Sequence, residues 1–73
     1  MNIYDFEYKD NVKIRTKDDN VFFGTVISIE DPLEMDSEQA VVNIETESGI
    51  FGLLESEIKS IEISVKDIER EIS

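Results

Sequence analysis

The sequence predicts an all-β fold, a small five-stranded antiparallel barrel that is strongly bent and carries a short helical C-terminal tail. Three observations predict it. The run VFFGTVISIE, Val21 to Glu30, is apolar at both parities, with Val21, Phe23, Ile27 and Ile29 on one and Phe22 and Val26 on the other. Both faces therefore ask for burial. Gly24, near the middle of that run, has no side chain, so the strand can bend there and let another backbone approach. Short apolar segments separated by turn residues recur along the rest of the chain, and a helical period enters only at the tail.

The elements follow in order. Near the amino terminus Tyr4, Phe6 and Tyr8 alternate, which predicts an extended segment packed on the barrel, the other option being an exposed aromatic strip. Val12, Ile14 and Thr16 face inward on a first strand, with Lys13, Arg15 and Lys17 outward. Asp18, Asp19 and Asn20 tolerate left-handed backbone and cap their own turns, so they predict a hairpin into the long second strand. The stretch EDPLEMDSEQ, Glu30 to Gln39, holds Pro32 and five acids and reads as a surface loop. Gln39 to Glu47 alternates again, with Ala40, Val42, Ile44 and Thr46 inward, and ends at the Ser48-Gly49 turn. Ile50 to Leu54 predicts a short fourth strand, Glu55 to Glu57 a tight turn, and Ile58 to Val65 a fifth strand with Ile61, Ile63 and Val65 on one face. Val65, Ile68 and Ile72 then fall at helical spacing. That tail is a lid over the barrel's open end, a frayed terminus or a partner contact, since so short a helix is marginal alone. The whole chain, 1–73, is a single domain with its core in 10–65 and its tail in 66–73.

Seventy-three residues support one small core, and a chain of that size buries only about 60% of its unfolded surface. There is no cysteine and no histidine, so neither disulfide nor zinc staples are on offer. Self-association is the remaining route to extra burial. Eighteen acids against seven bases give a net charge of −11, which opposes a phosphate backbone or an anionic membrane. The opening MNIYDFEYKD carries acids where a leader would carry an apolar core, and no run approaches the roughly 18 apolar residues of a membrane span. The expected setting is cytoplasmic, with no membrane partner.

The element order, with Phe22, Gly24, Val26, Ile29 and Glu30 in the long strand and Ile58 and Ile61 in LLESEIKSIEI, resembles the Sm-like family of small barrels, a fold of SH3-like build. The resemblance covers about Asp10 to Ile63. It implies subunits that assemble side by side into rings and often bind RNA. It also implies an interface on the fourth and fifth strands, with Ile50, Phe51, Leu53, Leu54, Ile58 and Ile61 as its candidates and Gly24 as the structural bend. The family's RNA site is another matter. Where RNA-binding relatives place an asparagine loop and an Arg-Gly pair, this chain has the acidic Asp31 to Glu38 loop and Leu54-Glu55, and a carboxylate meets phosphate with like charge.

Catalysis is disfavoured, because the nucleophile and base pairs built on histidine or cysteine are absent. No cofactor is expected. Asp31, Glu34, Asp36 and Glu38 form a candidate surface for a basic partner or a hard cation, although the spacing and glycine of an EF-hand are missing. Three functions remain open. The first is a non-catalytic Sm-like binding and assembly module, a homo-oligomer of bacterial or phage type that engages a protein partner. The second is an RNA-binding Sm-like protein. The third is an acidic nucleic-acid mimic that occupies a DNA-binding protein, which would need its carboxylates in one continuous band.

Overall fold

The computed structural model describes residues 3–32 and 39–64. Five strands, β1 (Val12–Thr16), β2 (Val21–Glu30), β3 (Val41–Thr46), β4 (Gly49–Leu54) and β5 (Ile58–Ile63), are joined with two 3-10 turns, Ile3–Phe6 and Glu55–Glu57. They form one antiparallel sheet in the order β4-β3-β2-β1-β5. The sheet is not closed. The turn Glu55–Glu57 carries the chain from β4 at one edge to β5 at the other, and the two edge strands do not pair.

The ten residues of β2 serve two neighbours in succession. Its first half, Val21 to Gly24, pairs with β1, whereas Thr25 to Glu30 pairs with β3. Between Val26 and Ser28 the register against β3 shifts, so Ile27 is an extra residue and the inward parity changes there. Phe22 and Val26 face inward before the shift and Ile29 after it. This corrects the expectation that both faces of the run are buried. Val21 and Phe23 are 51% and 43% exposed, because the apolar pattern at both parities comes from a bulge inside a one-sided strand.

A second shift lies between Arg15 and Thr16 against β5, where Ser60 and Ile58 are the successive partners. It lets Ile58 and Ile61, three residues apart, both point into the core. Ile63 was expected beside them but is 40% exposed. It lies opposite Val12 at the last position of an edge strand, with no further strand beyond it among the described residues. Val65 and the helical tail fall outside the described residues.

The core is built from Val12, Ile14, Val26, Val42, Ile44, Leu53 and Ile61, with Ile3, Ile29, Ala40 and Ile58, while Phe6, Phe22 and Phe51 pack against it half-buried. The amino-terminal segment is a 3-10 turn where an extended one was expected. Ile3 is its anchor, 1% exposed, whereas Tyr4 and Tyr8 stay on the surface. The segment is held to β2 by backbone pairing: the Tyr8 N–H donates to the Val26 carbonyl (2.8 Å), and the Val26 N–H donates to the Lys9 carbonyl (3.0 Å). Glu7 adds a carboxylate acceptor for the Ile29 N–H at 3.0 Å. At the far end the turn Glu55–Glu57 ties the two halves of the sheet together. The Glu55 N–H donates to the Ala40 carbonyl (3.0 Å), and the Lys17 N–H donates to the Glu57 carbonyl (2.9 Å).

Candidate functional site

Gly24 sits where β2 passes from one neighbour to the next, and the backbone of β3 lies directly over it. A Cβ built there would overlap the Glu45 carbonyl oxygen and stand 3.2 Å from the Thr46 Cα. Only glycine leaves room for that crossing.

The six interface candidates divide by the face they occupy. Leu53, Ile58 and Ile61 are buried within the subunit, and Phe51 is half-buried with its ring tilted against Phe22, centroids 5.1 Å apart. Ile50 and Leu54, on the outer side of β4, are 59% and 39% exposed. Of the candidate acidic surface, Asp31 follows β2 and is half-buried, and Glu34, Asp36 and Glu38 lie outside the described residues. Among the described residues no three Asp, Glu, His or Cys side chains converge as a metal site would require.

Sequence reasoning did not foresee that the described bases gather on one side of the sheet, where acids such as Glu62, the β5 partner of Lys13, accompany them. Every described base, Lys9, Lys13, Arg15, Lys17 and Lys59, lies on β1, on β5 or beside β1. The β3–β4 hairpin carries Glu45 and Glu47 and no base. Between these regions runs an exposed apolar strip. Val21 lies opposite Arg15 and Phe23 opposite Lys13, so the outer face of β2 is flanked by bases on its β1 side. On the other side Phe23 and Ile50 line one groove of about 700 Å³ with Glu45 and Glu47. A second groove of about 410 Å³ adjoins it, lined by Val21, Phe22, Phe23, Phe51 and the turn residues Glu47 and Ser48. Phe23, Thr46 and Glu47 border both. The signal was present in the sequence: Phe22 shares its parity with Gly24, the position that takes the β3 crossing, which turns Val21 and Phe23 outward.

A carboxyl is perturbed in the β1–β2 turn. Asp19 adopts left-handed backbone at φ 68°. The buried Thr16 hydroxyl donates to Asp18, and the Asn20 amide donates to the other carboxylate oxygen at 3.2 Å. The Thr16 hydrogen bond, with smaller help from the backbone N–H groups of the turn and from Asn20, outweighs desolvation and lowers the Asp18 pKa from its ordinary value.

Comparison with family models, with curated proteins and with solved structures finds no match to this chain. The class is a small all-β domain of five antiparallel strands in one sheet. No helix among the described residues is long and apolar enough to cross a membrane.

Proposed function

We propose that the chain is a non-catalytic binding and assembly module of the Sm-like kind, in which copies join side by side through the edges of β4 and β5 and the assembly engages a protein partner. The observation that carries this reading is the strand order β4-β3-β2-β1-β5, which among the described residues leaves those two strands with one open side each. An open strand edge is a template for another chain unless it is covered. The β5 edge is available in a specific way. The Ser64 N–H donates to the Asn11 carbonyl at 2.8 Å, and alternation along the strand then turns the N–H of Ile63 toward the open side. On β4 the Leu54 N–H is already occupied by the Glu57 carboxylate at 2.9 Å, so pairing there falls on the residues before it. Joining a β4 edge to a β5 edge is a head-to-tail contact, and such contacts close into rings when the rotation permits.

Light scattering across protein and salt concentration tests this with wild type and Ile63→Pro. The variant removes an edge donor without breaking a bond to β1. Species larger than a dimer in wild type, lost in Ile63→Pro, are the expected result. A wild type that never exceeds a dimer, or a variant with unchanged mass, refutes edge assembly.

A further inference from the structure

We infer that the outer face centred on Phe23 is a two-fold contact surface for a second copy of this chain, distinct from the strand edges and independent of them. Crossing this face, the order of chemistry is basic, apolar, acidic. Lys13 and Arg15 on β1 come first, Lys13 with Glu62 of β5 on its far side, then Val21 and Phe23 on β2, then Ile50 with Glu45 and Glu47 on the β3–β4 hairpin. Val21, Phe23 and Ile50 are 51%, 43% and 59% exposed, and clustering of three large apolar side chains on so small a domain marks a contact surface.

The polarity of the strip selects the occupant. A nucleic acid would meet Glu45 and Glu47, and a uniformly basic peptide would meet Lys13 and Arg15. A second copy turned about a two-fold axis through the strip satisfies both ends at once, because a two-fold contact brings residue i of one copy to residue j of the other and j back to i. Lys13 and Arg15 of each copy then face Glu45 and Glu47 of the other. The apolar relief matches in the same way. The exposed Phe23 ring of one copy enters the groove that Ile50 lines on its mate. Two charge contacts and one apolar centre are thereby made by a single surface. The net charge of −11 does not forbid the contact, since the charges that approach one another are opposite in sign and lie within a Debye length of roughly 8–10 Å at working salt.

The test is a charge-reversal cycle on the full chain, read by sedimentation. Arg15→Glu and Glu47→Lys are both at exposed positions, and circular dichroism checks that each variant folds. Each reversal alone places like charges opposite one another at both ends of the contact. Self-association should weaken by roughly tenfold or more in each. Mixed one to one, the two variants form a hetero-pair in which both ends are again opposite in sign, and affinity should return to within about threefold of wild type. Phe23→Glu should abolish the dimer, and Ile63→Pro should leave it intact. Wild-type dimerisation should also weaken as salt rises, the reverse of what repulsion between two acidic bodies gives. A monomeric wild type at roughly millimolar concentration, single variants that dimerise as wild type does, or a mixture that regains nothing would each overturn the inference.

Discussion

Replacing Gly24 with alanine probes the crossing of β2 and β3 through a single methyl group. The new Cβ would overlap the Glu45 carbonyl oxygen, lie 2.8 Å from its carbon and 3.2 Å from the Thr46 Cα. All three are backbone atoms, so no rotamer change relieves the contact. β3 must withdraw, straining the pairs Thr25 with Glu45 and Val26 with Ile44. Overpacking of this kind costs about 1–3 kcal/mol, and two weakened ladder bonds add roughly 1 kcal/mol each. A loss of about 3–5 kcal/mol is a large part of a small domain's stability, and at about 4–8 °C per kcal/mol it lowers Tm by at least roughly 12 °C. Gly52→Ala is the matched control. Its Cβ would meet only side-chain atoms, Asn43 Oδ1 at 3.1 Å and Val41 Cγ1 at 3.4 Å, which can move at a cost under about 1 kcal/mol. Urea and thermal melts followed by circular dichroism decide the matter. If Gly24→Ala is no more destabilising than Gly52→Ala, the close crossing is not what fixes glycine at this position.

Three further outcomes are expected. Ile3→Ala, at a side chain only 1% exposed, should cost about 2–4 kcal/mol in urea unfolding, and a loss near zero would mean the amino-terminal turn is not part of the core. In an NMR pH titration Asp18 should protonate below its ordinary value of 3.8, and Thr16→Val should move the midpoint back up. A lowered folded pKa stabilises above the unfolded value and loses that contribution as pH falls through the folded one, so the variant's deficit should be present at neutral pH and fade in acid. Gel shifts against homopolymer RNAs at about 0.15 M salt should show no sub-micromolar binding, given the net charge of −11. Tight binding there would favour an RNA-binding protein over the protein-engaging module.

The number of strands, the hairpin at Asp18 to Asn20 and the tight turn at Glu55 to Glu57 were legible because each rests on local chemistry: alternation, turn residues and breaks in the apolar run. What the sequence hid were the two places where one extra residue enters a ladder. Ile27 and Lys59 look like ordinary members of their runs, yet each resets which side chains face inward, and parity counted straight through Ile27 misplaces Val21 and Phe23, whereas Ile63 keeps the parity of buried Ile61 and is exposed by its place at the end of an edge strand. Ile3 was missed for a different reason. A lone isoleucine before three aromatics gives no periodicity, and its burial depends on backbone pairing of Tyr8 and Lys9 with Val26, a contact distant in sequence. The segregation of bases onto β1 and β5 was half visible, since four of them crowd the first quarter of the chain, but their position opposite an exposed apolar strip depends on register.

Because β2 lends one half to β1 and the other to β3, no cut through the sheet separates two self-sufficient pieces. A proteolytic nick in the turn at Asp18 to Asn20 would leave both halves attached to the same strand, whereas a break within β2 would orphan each from the other. The N–H of Val26 donates to the Lys9 carbonyl, so its amide exchange reads detachment of the amino-terminal segment from the middle of β2. Loss of β2 and loss of the fold are one event.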